Sequence, residues 1–334
     1  MSGESTPPSC TIGMPIYNRL TYIPEALRSV IPLVEHGMAE LIAIDDGSSS
    51  EIWQELTRLI PTCAQLLRNE RNLGLFGNWN HCLELADTRY FGILCSDDQL
   101  VDGYVEEAVA LMDQHPHVSL VTTSGLLQSG QGQTLGQIAA FFRPGIYRGP
   151  EAIPVLMDFY ARTGHNPFNY PSGVLVRTEA ARAVGGFDAN MRHAGDLDFF
   201  YRLLAAHDFA IMDRVGCRVT IHAQQAGAVL AQEPLGMREL VAIIERLPVN
   251  VLGSEVKKKL KHQHHALTLW HGLRFLLAGN RPSATAYARF ARSGDTGLAR
   301  LVWGLVDILL CKAQVKLFGR SMSWSRALAS LKHY

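Results

Sequence analysis

Asp97 and Asp98 are adjacent carboxylates one residue, Ser96, beyond an apolar run, Tyr90-Phe91-Gly92-Ile93-Leu94-Cys95. Hard divalent cations such as Mg²⁺ or Mn²⁺ are held by one or two carboxylates together with substrate phosphates, so this pair suits a metal-bound phosphorylated ligand. Two further polar clusters follow apolar runs in the same manner: Pro15-Ile16-Tyr17-Asn18-Arg19 and Asp45-Asp46-Gly47-Ser48-Ser49. Aspartate is an ordinary turn residue, so one such cluster alone would say little. In a parallel sheet, however, ligands gather outside the carboxyl ends of the strands, and three polar strand ends in succession predict one cleft. No GxxxxGK[ST] loop is present, so phosphate there would be neutralised by metal and not by a P-loop. Asn72-Leu73-Gly74, with Asn78 and Asn80 close behind, adds amide donors and acceptors suited to a sugar or nucleotide. Farther on, Asp196 and Asp198 stand at an apparent helix start in His193-Ala194-Gly195-Asp196-Leu197-Asp198. Two residues apart on a helix they project about 200° from one another, so only one can face a cleft.

The elements that must position these groups alternate in kind. CTIGM, LIAID, QLLRN, YFGILC and VSLVTT read as strands, and residues 22–34, 51–60, 77–86 and 103–115 as helices, the pattern of a mostly parallel sheet flanked by helices. Helix 51–60 is announced by Asp46-Gly47-Ser48-Ser49-Ser50, whose hydroxyls can cap its first turn. The Gly/Gln-rich stretch at 129–137 lacks periodicity and reads as an exposed loop. A second α+β portion has helices near 150–160, 178–184 and 196–206, with strands near 172–177 and 215–222. After residue 235 only helices are expected, at 235–246, 254–278, 283–291, 297–317 and 323–332. His262, His264 and His265 lie among lysines 257–259 and 261, and read as a solvated helix face.

The 334 residues are 47% hydrophobic, enough for a large core, which excludes disorder as a whole-chain state. Formal charge is zero, against a chain that coats nucleic acid electrostatically. That zero is uneven: residues 1–250 carry 17 basic and 28 acidic side chains, and residues 251–334 carry 14 and 3. Six scattered cysteines without a CxxC pair indicate neither a disulfide framework nor a zinc ribbon. The first residues have no basic start and apolar stretch of a secretory signal, so cytoplasmic residence is expected.

In their order, PIYN, IDDGSS, NLGLFGNWN and CSDD, followed by SGVLVRTEAARAVGGFD and GDLDFFYRL, the motifs resemble those of the family 2 glycosyltransferases over roughly residues 9–225. The resemblance implies a GT-A fold, with residues 1–125 as the nucleotide-sugar-binding half, 126–232 as the acceptor half and 233–334 as a helical extension. It implies transfer, with inversion, from a nucleotide-diphosphate sugar to a hydroxyl of a glycan or lipid-linked glycan in cell-surface polysaccharide synthesis. Carried over by position, Pro15, Tyr17 and Asp46 would hold the base with Arg19 and Asn72 near them. Asp97 would face ribose or sugar, and Asp98, with His222, would bind Mg²⁺ or Mn²⁺. The matching base position is Asp196, where Gly195 stands in place of the commoner acidic neighbour and leaves Asp198 a rival. Gly185-Gly186-Phe187-Asp188 is a turn expected to shape the cleft.

A nucleotidyltransferase would also place a metal on such a sheet, but would want a basic Gly-rich loop that residues 14–20 lack. A non-catalytic sugar-nucleotide-binding module is the other alternative, against which the joint presence of Asp46, Asp98 and Asp196 argues. Residues 298–318 nearly reach the roughly 20 apolar residues that span a bilayer. Arg300, Asp307, Lys312 and Lys316 interrupt them, and central charges are expensive in hydrocarbon. The helices are therefore expected to lie in a membrane interface, with Trp303 and Trp324 at the boundary, or to pack on the body or a second copy of the chain.

Overall fold

The computed structural model describes residues 7–138, 142–223, 225, 230, 232–294, 297, 302–310 and 332–333. The elements in chain order are β1 Cys10–Ile16, α1 Ile23–Glu35, β2 Ala39–Asp45, α2 Ser50–Leu59, β3 Gln65–Arg68, α3 Leu75–Leu85, β4 Tyr90–Ile93, β5 Gln99–Leu100 and α4 Tyr104–Gln114. Then come β6 Val118–Ser129, β7 Thr134–Ile138, β8 Gly145–Tyr147, α5 Gly149–Thr163, β9 Val174–Arg177, α6 Thr178–Ala183, α7 Gly195–Leu204 and β10 Asp208–Ile221. The C-terminal helices are α8 Leu235–Arg246, α9 Ser254–Leu277, α10 Arg281–Ser293 and α11, 302–310, and β11 is Lys332–His333.

One mixed sheet runs in the order β11-β8-β10-β6-β9-β4-β1-β2-β3, with β5 and β7 pairing off that path. Strands β3, β2, β1 and β4 are parallel, and β9 enters antiparallel between β4 and β6. The principal strands β1 to β4, β6 and β10 therefore all point one way, and their carboxyl ends open on one edge.

Period-2 alternation covers both faces of this sheet. Ile42 and Ile44 of β2 face the core under α3, α5 and α7, while Leu41 and Ala43 face the core under α1, α2 and α4. Ser49 caps α2, its Oγ accepting from the Ile52 N–H at 3.4 Å, as its position in the sequence predicts.

The loop expected at 129–137 is instead a hairpin. Strand β6 continues to Ser129 and β7 returns along it, leaving a turn at 130–133 in which the Ser129 hydroxyl accepts from the Gln131 and Gln133 N–H groups. Glycine and glutamine at 130–133 and at 136–137 interrupt the alternation that would have marked the returning strand. β10 begins seven residues before the expected strand, and the short strands β5 and β8 carry too few residues for any periodicity to register. The expected helix 323–332 lies outside the described residues except for Lys332, which pairs with Tyr147 as strand. Among the described residues no helix is long and apolar enough to cross a membrane.

Candidate active site

Strand β1 ends by presenting Tyr17, a residue 52% exposed although large aromatics are normally covered. Its position follows from Asn18, the one described non-glycine residue at positive φ, 46°. That conformation is held by reciprocal bonds to the Asp45-Asp46-Gly47-Ser48-Ser49 turn: the Asn18 N–H donates to Ser48 Oγ at 2.8 Å, and Asn18 Oδ1 accepts from the Ser49 N–H at 3.2 Å. Two strand ends are thus locked together with the aromatic face turned outward. Pro15 lies just behind, paired in register with Ile44.

Asp46 is buried and holds the next loop in place. Its Oδ1 accepts from Asn69 Nδ2 and the Leu73 N–H, both at 2.8 Å, and Oδ2 accepts from the Gly74 N–H at 3.0 Å. Asn72 is exposed and accepts the same Gly74 N–H through its side chain at 2.9 Å. Gly74 at φ 79° lets the chain turn into α3. Asn78 and Asn80, read from sequence as sugar-facing amides, are used internally: Asn78 bonds Ile44 O and Asn69, while Asn80 clasps both the N–H and the C=O of Phe187. Buried amides must be satisfied, and backbone partners out-compete a ligand.

At the end of β4 the two carboxylates differ. Asp97 is ion-paired with Arg19 Nη1 at 3.0 Å and hydrogen-bonded to His222 Nε2 at 2.9 Å, and the His222 ring stacks on Tyr22 with centroids 4.9 Å apart. Asp98 is 2% exposed, and its hydrogen-bond donors are neutral: Ser172 Oγ at 2.7 Å and the Thr220 N–H at 3.2 Å. Burial, reinforced by the charge of Asp97, raises its pKa above the ordinary carboxylate range. A buried carboxylate with neutral donors beside a second carboxylate is a place where a cation relieves the cost of ionisation.

The ligand atoms of Cys95, Asp97 and Asp98 all lie within 4.8 Å of one another. Burial keeps the Cys95 thiol protonated, so the donors that remain are hard carboxylate oxygens, which fit Mg²⁺ or Mn²⁺. His222 spends Nε2 on Asp97. These three strand ends, from β1, β4 and β10, are brought together by the fold.

Asp196 sits in the first turn of α7, its Oδ1 accepting from the Leu197 N–H at 2.8 Å. Burial raises its pKa to about 6. Asp198, the sequence rival, is 1% exposed and committed to Arg202 at 2.7 Å, so its charge is already spent. Gly195 is there because any Cβ would come within 2.6 Å of the Phe76 ring. Phe76, Trp79, Phe187 and Phe199 form one aromatic cluster, with Phe187 and Phe199 centroids 4.3 Å apart, that fixes α7 against α3.

Tyr170 is 41% exposed. Its pKa is raised by burial of its ring and then by the charges of Asp98 and Asp196, so it stands in the electrostatic field of both carboxylates. Sequence reasoning missed Tyr170, Tyr22 and the Ser172 bond to Asp98, because no local pattern marks a residue whose partner is 74 positions away. The solvated-histidine expectation also fails: His264 and His265 are buried, and His264 stacks on Tyr160 at 5.9 Å and 7°.

Residues 11–185 match the family model described as Glycosyl transferase family 2. An uncharacterised Mycobacterium tuberculosis protein is 28% identical over 201 residues, 59% of this chain and 62% of that one. An uncharacterised glycosyltransferase of Rickettsia felis is 25% identical over 191 residues, 53% of this chain and 31% of its own length. This chain thus spans less than two thirds of the length of either relative. Among solved structures, S. aureus TarS 1-349 in complex with UDP-GlcNAc superposes with a TM-score of 0.60 at 17% identity, covering 94% of this chain and 93% of that one. The complex of the same protein with UDP gives a TM-score of 0.54 at 17% identity over the same shares. At that identity the likeness is one of fold.

Proposed function

The chain belongs to glycosyl transferase family 2, and from that premise we propose that it is a metal-dependent inverting enzyme that moves a sugar from a uridine-diphosphate sugar to a hydroxyl of a glycan or lipid-linked glycan, in cell-surface polysaccharide synthesis. The observation that carries this reading is Asp196: a carboxylate in the first turn of α7 with no cationic partner among the described residues, its pKa raised by burial to about 6, and with Tyr170 lying in the electrostatic field of both Asp196 and Asp98. A general base works best when its pKa lies near the operating pH. The UDP-GlcNAc and UDP complexes of TarS support the choice of donor class.

In this reading the exposed Tyr17 ring stacks on the base, the Asp46-anchored loop at 72–74 borders it, and Arg19 lies beside Asp97 at the diphosphate. Asp98 and Asp97, with His222, would hold Mg²⁺ or Mn²⁺, which when bound neutralises charge developing on the departing diphosphate. Asp196 takes the proton from the acceptor hydroxyl as its oxygen bonds to the anomeric carbon. The bond from that carbon to the diphosphate oxygen breaks, the electron pair leaves with the nucleotide, and the configuration inverts.

A thermal-shift titration with UDP, UDP-GlcNAc and other nucleotides in Mn²⁺ tests the donor class, since a ligand that binds the native state raises the melting temperature. UDP is expected to stabilise the protein, and Tyr17→Ala to weaken that binding about tenfold, the magnitude of one lost base–aromatic stack. Stabilisation by no uridine nucleotide would refute the reading.

The C-terminal helices support a second contact. On α11, Val302, Trp303, Val306, Leu309 and Leu310 are 40–73% exposed at helical spacing, while Ile308 is buried and Asp307 is tied to Arg162 at 2.6 Å. An outward apolar stripe on a stretch with 14 basic and 3 acidic residues suits the anionic cytoplasmic face of a membrane. The full chain is expected to float with phosphatidylglycerol vesicles, and Trp303→Asp/Leu310→Asp to remain in the soluble fraction. Equal soluble fractions for the two proteins, with a dimer on sizing columns, would assign the stripe to a second copy instead.

A further inference from the structure

We propose that Glu239 is a positioning residue for Asp196, so that α8, outside the stretch where the family motifs lie, is part of the catalytic apparatus. The proposal rests on the reading of Asp196 as base. The Glu239 carboxylate accepts three consecutive backbone N–H groups: Arg192 on Oε1 at 2.8 Å, and His193 and Ala194 on Oε2 at 3.0 and 2.6 Å. These residues are the lead-in to α7, and Ala194 is its N-cap. No side chain of the lead-in caps the helix, and the three amides that run into its first turn are held by a residue more than 40 positions later in the chain.

The fixation is reinforced from the same helix. Gly236 admits the His193 ring at a distance no Cβ could share, 2.4 Å. Arg246, one end of α8, holds Asp188 at 2.6 Å and lies 3.8 Å from Asp198. Residues 188 to 198 are therefore clamped at both ends by one helix, and the only acidic side chain of that segment left without a cationic partner in these clamps is Asp196. A carboxylate accepting charge-assisted bonds from three N–H groups makes a stiff anchor, and positioning to a fraction of an ångström is what a base needs.

Glu239 also acts on Asp196 through charge. The groups that face Asp196 are the α7 backbone amides at Leu197 and Asp196, which lower its pKa, and burial, which raises it, with the Glu239 charge adding to the rise. Tyr160 on α5 and Tyr170 ahead of β9 stand within its field. His193, next in the clamp, is kept neutral by burial.

The test compares Glu239→Gln and Glu239→Ala with Asp196→Asn in the full chain, measuring transfer kcat, donor KM and the acid limb of the pH profile. Glu239→Ala is expected to lower kcat about 10- to 100-fold, the penalty of a misplaced reacting group, with donor KM within about twofold. Glu239→Gln, which keeps an acceptor and removes the charge, is expected to retain more activity and to move the acid limb to lower pH. If Glu239→Ala does not fold by circular dichroism, the Gln variant carries the test through its limb. Wild-type kcat and an unmoved limb in the Glu239 variants, with Asp196→Asn inactive, overturn the positioning role alone. Full transfer by Asp196→Asn overturns the base assignment itself, whatever Glu239 does.

Discussion

Asp196→Asn is expected to lower sugar transfer by about 10²- to 10⁴-fold, the range spanned by a lost general base, while UDP binding stays unchanged. Asparagine keeps the Oδ1 that accepts the Leu197 N–H, so the helix start is preserved and only proton uptake is lost. The pH dependence follows from the raised pKa. Below about 6 Asp196 holds its own proton and cannot take another, so wild-type transfer is expected to rise between pH 5 and 7 and then level.

Stability runs the other way. The folded state binds more protons than the unfolded state between the ordinary carboxylate pKa and about 6, so Asp196 makes the native state less stable as pH rises through that window. Removing the charge is then expected to stabilise the protein at pH 7 by about 2–3 kcal/mol, read as a higher melting temperature. A variant both inactive and more stable is hard to explain as damage to the fold. Loss of transfer accompanied by loss of stability would point to a structural role and sink the assignment.

Asp98→Asn is expected to abolish the response to Mn²⁺ and to reduce transfer by about 10²- to 10³-fold, comparable with removing a group that stabilises charge on the leaving side. The side chain sits 2% exposed between Ser172, Thr220 and Asp97, so asparagine fits without a cavity. Burial and the Asp97 charge favour the protonated form. A cation must displace that proton, so Mn²⁺ is expected to bind more tightly as pH rises from 6 to 8. The metal-free variant should match or exceed the wild-type melting temperature at pH 8, because the costly buried ionisation is gone. Full Mn²⁺-dependent transfer by Asp98→Asn would place the cation elsewhere.

How much of this was legible before folding depended on whether a residue's partner was local. The strand-end aspartates were visible because an apolar run of strand length followed by polar turn residues is a short-range pattern. The cap at Ser49 was visible for the same reason. The choice between Asp196 and Asp198 was half legible: helical geometry shows that one of them turns inward to the core, and the i,i+4 Arg202 shows which charge is spent. The hairpin at 129–138 was not, since glycine and glutamine carry no alternation of hydrophobicity. Nor were His264 and His265, whose lysine neighbours suggest water while their own side of α9 meets α5 and α10.

The amino-acid order by itself determined the alternation of strands and helices, the acidic body and basic tail, and the three polar strand ends, because periodicity, composition and turn chemistry act over a few residues. Tertiary structure alone decided what each of those ends does. It gave Asp97 to Arg19 and His222, left Asp98 with neutral donors, turned Asn78 and Asn80 inward, and brought Glu239 from a distant helix onto the three amides that lead into Asp196. Burial and charge pairing are properties of neighbours in space, and no local stretch of sequence specifies them.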